Sequence, residues 1–211
     1  MSGRCGGPRP SDDSLFPYTE LQVQDGLELR QIVLDDAAEL FATVDANRKN
    51  LREWLAWLDG TNSLEDEISF IASTLEEYVR GEGVLYGIRL DGDLVGTISL
   101  NWIDWGNRGC GVGYWLAEDQ TGNGYVTKSC VRLMEHCFDD LKLHRFVLEA
   151  ATENFPSRAI AENLGMRLEG ITKDREWLYD HYVDAALYAI CLLYTSPSPR
   201  DVEEYRMPSS A

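Results

Sequence analysis

A polar turn with two glycines is the stretch of this sequence best suited to bind a ligand. Residues 120–125 follow an apolar run and precede a helical pattern, which predicts a strand, a turn and a helix start. Gly122 and Gly124 carry no Cβ atom, so the backbone there can turn sharply and approach a ligand closely. The first N–H groups of a helix have no partner within it and lie at the positive end of its dipole. The turn is therefore a candidate phosphate or pyrophosphate site. A strand–turn–helix junction that binds nothing fits these residues equally well.

The composition limits the kinds of partner. The chain has 211 residues, of which 44% are hydrophobic and 26% charged, and this fits one globular domain or two small ones. Its formal net charge of -17 argues against direct nucleic-acid binding, which requires a basic face. The same charge favours cationic partners such as polyamines, amino sugars or basic proteins. The alternative is that the acidity serves only solubility.

The cysteines and histidines predict neither a disulfide nor a metal site. The five cysteines include no Cys-x-x-Cys pair. Cys130 and Cys137 would lie roughly 10 Å apart along one helix, too far for a disulfide. Such usage is typical of a reducing cytoplasm, where we expect this protein. His136, His144 and His181 form no spaced cluster with cysteines or carboxylates, so no metal is expected. We also expect no membrane segment, because no apolar run has the length of a membrane span or a signal-peptide core.

The element pattern predicts an α/β (α+β) domain over 26–192, with a loose leader over 1–25. Predicted strands cover 27–32, 84–90, 94–103, 108–117, 145–150, 166–172 and 177–191, the last with a turn at Asp180-His181. Predicted helices begin at Asp35 or Asp36, at a capping box of Ser63 and Asp66, at Tyr125 and near Pro156. The third of these helices is expected to run to Leu141. This order is a β-meander followed by β-α-β-α-β-β, which indicates a mixed sheet with helices on its faces.

Two details of the helical regions bear on function. The second helix carries apolar residues at helical spacing, which we expect to face the core: Leu64, Ile68, Ile71, Leu75 and Val79. The segment before it contains Trp54, Trp57 and Asp59, which could wall a pocket for an acceptor substrate. The alternative is that both tryptophans are core residues beneath a loop, since tryptophan is usually mostly buried.

The C-terminal residues are expected to contribute nothing to the fold. Residues 193–211 contain three prolines and no apolar period, which predicts an unpacked tail. The run from Cys191 to Asp201 resembles translated sequencing adapter. On that interpretation residues 191–211 are not native. No function is assigned to them.

Several separated motifs carry a family resemblance. They are Gly113-Tyr114-Trp115-Leu116, Gln120-Thr121-Gly122-Asn123-Gly124-Tyr125, Asn154-Phe155-Pro156-Ser157-Arg158-Ala159, Leu164-Gly165-Met166-Arg167-Leu168-Glu169-Gly170, and the run from Asp184 to Tyr188. No single motif is decisive, but their order and spacing make a specific signal. The chain resembles the GNAT superfamily of N-acetyltransferases over about residues 27–190. More narrowly, it is similar to the RimJ/RimL type, which acetylates ribosomal-protein N-termini.

The resemblance implies a fold and a donor. The fold is a GNAT-like mixed, mostly antiparallel central sheet of six to seven strands, flanked by about four helices and splayed at the acetyl-CoA site. The acetyl donor is acetyl-CoA. Backbone groups of Leu116 and Ala117 would hold the pantetheine arm, and Asn154 would contact it. The pyrophosphate would lie on Gln120, Thr121, Gly122, Asn123, Gly124 and Tyr125.

The chain also departs from the superfamily pattern. Asp119 stands where the superfamily often has Gln or Arg, so its side chain should point away from the phosphates and leave the binding to backbone donors. Ala161 replaces the superfamily's common tyrosine acid. Met166 replaces the usual Phe after Gly165, a mild apolar change.

The resemblance assigns catalytic roles to Ser157 and Glu176. Ser157 would donate a hydrogen bond to the departing CoA thiolate; the alternative is a helix-start residue that satisfies backbone groups. Glu176 would take the proton of the attacking amine, directly or through water. The alternative is a solvated strand glutamate, because Lys173-Asp174-Arg175 beside it looks like ordinary surface charge. An α-amine needs little help, because its pKa is only about 7.7–8.0.

The implied function is transfer of acetyl from acetyl-CoA to a protein N-terminal α-amine, with a basic protein N-terminus or a small polyamine as partner. Acetylation of a polyamine or an aminoglycoside on the same scaffold is one alternative. A non-catalytic CoA-binding module is another, and a structural α/β domain with an empty cleft is a third, since fold alone does not decide function. A monomer and a homodimer both fit the sequence.

Overall fold

One sheet of eight strands organises residues 20–192, the part of the chain that this computed structural model describes. Its strands are β1 (Glu20–Gln24), β2 (Leu27–Gln31), β3 (Val84–Leu90), β4 (Asp93–Asp104), β5 (Gly109–Leu116), β6 (Arg145–Ala151), β7 (Arg167–Leu178) and β8 (His181–Cys191). Four α-helices accompany them: α1 (Ala37–Leu51), α2 (Leu64–Arg80), α3 (Tyr125–Glu135) and α4 (Phe155–Asn163). The spatial order is β1-β2-β3-β4-β5-β6-β8-β7. All neighbours pair antiparallel except β5 and β6, which are parallel. The predicted mixed, mostly antiparallel class is confirmed.

The sheet has more strands than expected, because β1 forms within the stretch predicted to be a loose leader. Leu21 is buried and lies opposite Leu29 of β2, while Gly26 closes the hairpin with a φ of +74°. A single buried leucine among polar residues is a weak sequence signal, and the pairing with β2 supplies the rest. Residues 1–19 of the predicted leader and the predicted tail over 193–211 lie outside the described residues.

The helices pack on the two faces of the sheet in separate hydrophobic clusters. On one face, Leu40 and Val44 of α1 and Ile71 of α2 pack with strand residues that include Leu85 and Leu94. On the other face, residues of α3 and α4 pack against the strands; this cluster includes Cys130, Leu133, Ala161, Val112, Leu116, Phe146, Leu148 and Tyr188. Burying each such leucine or phenylalanine stabilises the fold by about 1.5–3 kcal/mol. The two faces matter for the site, because alternate residues of β5 belong to different clusters.

Helix α2 begins and ends as the sequence predicts but buries a different line of side chains. Ser63 and Asp66 form the capping box, and Gly81 ends the helix with a φ of +70°. Of the predicted core face, Ile71 is fully buried and Leu75 packs partly buried beside it, but Leu64, Ile68 and Val79 are exposed. The buried line passes instead through Glu67, one turn before Ile71. Apolar spacing predicted the helix and two of its core residues correctly. The other three were wrong, because packing on the sheet sets the contact line.

Two predicted boundaries also change. The helix expected over residues 125–141 is α-helical only to Glu135, and a π-helical turn follows over His136–Asp140. The polar residues 173–176 do not interrupt the chain between two strands but belong to β7, whose register shifts between Thr172 and Glu176. A strand at the edge of a sheet tolerates such polar side chains, because one side of it faces solvent. The turn between β7 and β8 lies at residues 179–180 rather than 180–181.

Candidate active site

The two central strands separate in the second half of β5, which agrees with the splay that the resemblance implies. Parallel pairing of β5 with β6 runs only from Gly109 opposite Arg145 to Val112 opposite Leu148. Beyond that point residues 113–116 of β5 stay paired with β4, and residues 149–151 of β6 stay paired with β8. The sheet therefore opens between these two segments. Backbone groups of β5 that would otherwise pair with β6 become available to an extended ligand.

Leu116 and Ala117, the residues expected to hold the pantetheine arm, lie at the end of this opening. Leu116 is opposite Gly96 of β4, and the Ala117 N–H donates to the Val95 carbonyl over 2.8 Å. A Cβ atom at position 96 would come within 2.3 Å of the Trp115 carbonyl oxygen. Gly96 thus allows β4 to approach β5 closely on one side, while the other side of β5 faces the opening.

The glycine turn forms a short helical turn at Glu118–Gln120 and then leads into α3. Gly122 and Gly124 have φ values of +80° and +76°, in the left-handed region that favours glycine. Gly124 is the N-cap of α3, and no side chain caps the first N–H groups of this helix. A Cβ atom at position 122 or 124 would meet no atom within 4 Å, so the surface above the turn is open. Uncapped donors beside open space are a geometry that fits a pyrophosphate.

The polar side chains of the turn hold its own backbone. The Thr121 hydroxyl donates to the Glu118 carbonyl over 2.8 Å, and the Asn123 amide donates to the Gln120 carbonyl over 3.1 Å. The Glu118 N–H donates to the Asn47 side chain of α1 over 2.9 Å. These bonds fix the loop and leave the backbone N–H groups of residues 122–125 as the candidate anion donors. Asp119 and Gly122 are exposed, and Gln120 and Tyr125 are half-buried.

Ser157 lies at the start of α4 with its hydroxyl directed across the opening to β5. Its oxygen is 2.8 Å from the hydroxyl oxygen of Tyr114, and either group can donate. The Ser157 N–H donates to the Asn154 side-chain oxygen over 3.1 Å, so Asn154 caps this helix. Because Asn154 serves the backbone, the Ser157 hydroxyl is left for a neighbouring side chain or a ligand.

Tyr114 is the functional candidate that the sequence reasoning missed. Burial raises the pKa of its phenol, so the group is a neutral hydrogen-bond donor over the physiological range. Ala161, which replaces the superfamily's tyrosine acid, is fully buried in the core. Tyr114 of β5 therefore presents a phenol beside Ser157, although position 161 of α4 carries none. The available signal was strand alternation, since Tyr114 and Leu116 share one face of β5.

Glu176 lies on β7, the edge strand, and β8 separates it from β6. It is opposite Val183 of β8 and is exposed. Its carboxyl pKa is raised, mainly by partial desolvation; the negative charge of Glu149 raises it further, while Arg175 lowers it. Glu149 belongs to the segment of β6 that lines the opening, and it accepts a hydrogen bond from Arg175 over 2.8 Å. Its link to the opening is the charge of Glu149.

Trp54 and Trp57 differ in exposure. Trp54 is half-buried, whereas 44% of the Trp57 surface is exposed. Leu58, next to them, is fully buried and is the core residue of this loop. Trp57 lines a small crevice with Trp115 of β5. The loop between α1 and α2 therefore reaches the strand that borders the opening.

Asp59 has a partner within the protein. Arg52 donates to both of its carboxylate oxygens, over 2.9 and 2.8 Å, and this pairing lowers the Asp59 pKa. The Arg52 guanidinium also stacks 3.9 Å above the centre of the Tyr179 ring. Tyr179, in the turn between β7 and β8, donates its hydroxyl hydrogen to the Leu55 carbonyl. These contacts attach the α1–α2 loop to the β7–β8 turn, so both walls of a candidate acceptor site are linked.

Within the described residues 20–192, no three His, Cys, Asp or Glu residues lie together in a group that could hold a metal ion. None of the helices described is long and apolar enough to cross a membrane.

Comparison with known proteins agrees with the resemblance. The acetyltransferase (GNAT) domain family matches residues 26–167. The ribosomal-protein-serine acetyltransferase of Escherichia coli is 30% identical over 169 residues, which cover 80% of this chain and 94% of that protein. Among solved structures, the RimL ribosomal α-N-protein acetyltransferase in complex with coenzyme A has a TM-score of 0.80 at 29% identity, covering 82% of this chain and 98% of that one. The microcin self-immunity acetyltransferase MccE, in complex with acetyl-CoA and AMP, also has a TM-score of 0.80 at 29% identity, covering 86% and 100%.

Proposed function

This chain belongs to the acetyltransferase (GNAT) family, and we propose that it transfers acetyl from acetyl-CoA to the N-terminal α-amine of a ribosomal protein. The observation that carries the proposal is the opening between β5 and β6, with an uncapped glycine turn at one end and the Ser157–Tyr114 pair across it. The names of the Escherichia coli relative and of RimL support the acceptor class, since both act on ribosomal proteins. Structures of RimL and MccE, which contain CoA or acetyl-CoA, support the donor.

In this proposal the backbone does most of the donor binding. The edge of β5 at Leu116 forms strand-like hydrogen bonds with the pantetheine arm. Ala117 was expected to share this role, but its N–H is donated to the Val95 carbonyl and its carbonyl accepts from the Gln120 N–H, so only a second hydrogen bond to that carbonyl is left for the arm. The N–H groups of residues 122–125 bind the pyrophosphate at the positive end of α3. Asn154 uses its oxygen for the cap of α4 and presents its amide nitrogen to the arm. This division is consistent with a loop whose nearby acidic residues, Glu118 and Asp119, are exposed.

The residues around the thioester move one proton and stabilise one leaving group. The nitrogen lone pair of the neutral amine forms the new N–C bond, and the C–S bond breaks with its electron pair on sulfur. Glu176 accepts the proton that the nitrogen loses, directly or through water. Ser157 donates a hydrogen bond to the departing thiolate, and the Tyr114 hydroxyl holds Ser157 in place and can pass a proton toward it. A strand N–H of β5 stabilises the oxyanion.

The acceptor approaches along the α1–α2 loop and the β7–β8 turn, which are joined by the contacts of Tyr179. Trp54 and Trp57 form one wall, and Asp59 contributes to it through its pair with Arg52. The acidic charge of the chain, -17 overall, attracts a basic ribosomal protein before contact. The proposal places this chemistry in the cytoplasm, where ribosomal proteins are found.

The test compares acceptors under identical conditions. Purified protein is incubated with acetyl-CoA and a peptide that begins with serine, and the free thiol is measured over time. Spermidine and an aminoglycoside serve as the competing acceptors, and the same peptide with an acetylated N-terminus is the control. The proposal expects kcat/KM to be highest for the free peptide and zero above background for the blocked one. A higher kcat/KM for spermidine or the aminoglycoside would assign the enzyme to small amines, and thiol release with no acceptor preference would contradict amine transfer.

A further inference from the structure

A small crevice lies between α1, α2 and the sheet, on the face opposite to Ser157. Its volume is about 70 Å³, and its walls are aromatic and aliphatic apart from two polar residues, Glu67 and Thr97. Trp57, Phe70 and Trp115 form the aromatic walls. Since one water needs about 10–15 Å³ of such space, the crevice can hold an amino group with a small substituent. Among its lining residues, Glu67 is the one titratable group.

Glu67 is buried without a partner. Only 2% of its surface is exposed, and its Oε2 atom accepts no hydrogen bond from any residue in 20–192. Burial raises the pKa of this carboxyl to about 7, and no other cause contributes. Buried charges in proteins are normally paired or bound to a ligand, because an unpaired one is costly. A buried carboxylate with no partner in the fold therefore indicates that a cationic ligand supplies the counter-charge.

The position of the crevice relates it to the reacting bond. Trp115 immediately precedes Leu116 and lies opposite Thr97 of β4, so both side chains belong to the α1–α2 face of the sheet. Tyr114 and Leu116 belong to the other face. A group in the crevice thus approaches the end of β5 from one side of the sheet, while Ser157 and Tyr114 approach from the other. The attacking amine and the leaving thiolate would then contact residues on different faces of the sheet.

We propose that this crevice receives the α-ammonium group of the acceptor and that Glu67 is its counter-ion and first proton acceptor. The inference rests on the proposed function and names the subsite that selects the amine. The faces of Trp57 and Trp115 favour a cation, and the small volume favours a small first side chain. An ammonium of pKa about 7.7–8.0 and a carboxyl titrating near neutrality are well matched for transfer.

The proposal gives each of two carboxylates one proton. An ammonium loses one proton before attack and a second when the N–C bond forms. Glu67 takes the first, so an N–H bond breaks and an O–H bond forms, and the nitrogen lone pair becomes free. Glu176 takes the second after attack. One proton finally resides on the CoA thiol and the other returns to solvent.

The experiment compares Glu67→Gln with wild type and with Glu65→Gln, a control at an exposed position on the same helix. Rates are measured with acetyl-CoA and a serine-initiated peptide between pH 6 and 9. The expected result is a rise of about tenfold or more in KM for the peptide, with KM for acetyl-CoA unchanged. The defect should shrink toward pH 9, because the peptide amine then loses its proton to solvent. Glu65→Gln should behave as wild type.

A second measurement keeps the inference testable if the variant does not fold. Wild-type thermal stability is measured with the free peptide and with its N-acetylated form, in the absence of acetyl-CoA. Stabilisation by the free amine alone is expected. Equal effects of the two peptides, or a folded Glu67→Gln variant with wild-type KM and pH profile, would overturn the role of Glu67. A wild-type enzyme that acetylates no peptide would instead overturn the proposed function.

Discussion

The hydroxyl of Ser157 is held 2.8 Å from that of Tyr114 and not by the backbone of its own helix. This arrangement follows from Asn154, which caps α4 and so releases the serine side chain. A hydroxyl that is free of capping can turn toward a ligand, and its phenol neighbour limits the directions it can take. The pair is therefore preorganised at the place where the CoA thiolate forms in the proposed mechanism.

We predict that Ser157→Ala lowers kcat by about 10–100-fold, because positioned proton donors contribute on this scale. Tyr114→Phe should lower kcat less, since the phenol acts through Ser157. KM for acetyl-CoA should change little in either variant, because backbone groups bind the donor. Steady-state kinetics with thiol detection measures both effects. A tenfold rise in KM for acetyl-CoA with unchanged kcat would contradict the assigned role and indicate a binding contact.

Glu176 should control the acidic limb of the kcat profile. Partial desolvation and Glu149 raise the pKa of this carboxyl above its ordinary value of 4.5, so its proton-accepting form appears at a higher pH than for a solvated glutamate. We predict that kcat of the wild type falls as pH drops through this raised pKa, and that Glu176→Gln lowers kcat about 10–100-fold at neutral pH and removes the limb. Glu135→Gln, at an exposed position on α3, is the control. A limb that persists unchanged in Glu176→Gln would assign the proton to another group.

At the scale of elements, the site depends on where two strands part and where one helix begins. The β5–β6 pairing ends at Val112 and Leu148, and the glycine turn then leads into α3 with no side-chain cap. Both features leave backbone groups unpaired within the fold, and unpaired backbone groups are costly unless water or a ligand satisfies them. The junction of these elements is thus the natural place for a long, polar ligand.

We predict that Gly124→Ala weakens acetyl-CoA binding by about tenfold or more, because a left-handed residue with a Cβ costs about 1–2 kcal/mol and the atom enters the open cradle. Gly165→Ala is the matched control, since Gly165 also has a positive φ, +72°, and a Cβ there meets nothing within 4 Å. It lies at the far end of α4 from Ser157. Calorimetric titration with acetyl-CoA measures both variants. Similar losses of thermal stability with unequal losses of affinity are expected; equal losses of affinity would contradict a binding role for the turn.

The elements that sequence reasoning predicted well are those with local signals. The capping box at Ser63, the Gly81 stop and the glycine turn each depend on residues within one turn of the chain. Strand β1 and the polar part of β7 were missed, because pairing with a neighbour rather than their own residue pattern defines them. The burial of Glu67 and the contact of Tyr114 with Ser157 depend on how α2 and α4 pack on the sheet. No spacing rule within the sequence contains that information.

At the scale of the whole molecule, the two faces of one sheet carry different parts of the proposed site. Helices α3 and α4 bring the glycine turn, Asn154 and Ser157 to one face. Helix α2 and the α1–α2 loop bring Glu67 and Trp57 to the other. The opening between β5 and β6 connects the two faces. The donor and the acceptor can therefore bind through separate sets of residues and meet at the end of β5.

The measurement that tests this arrangement most directly is the thermal stability of the wild-type protein with acetyl-CoA, with ATP as the control for a polyphosphate that lacks the pantetheine arm. A ligand at about 100 times its dissociation constant stabilises the folded state by about 2.7 kcal/mol. We predict a clear rise in Tm with acetyl-CoA that ATP does not reproduce, because the opening beside β5 binds the arm and the turn binds the phosphates. A folded protein whose Tm changes with neither ligand, or equally with both, would contradict it.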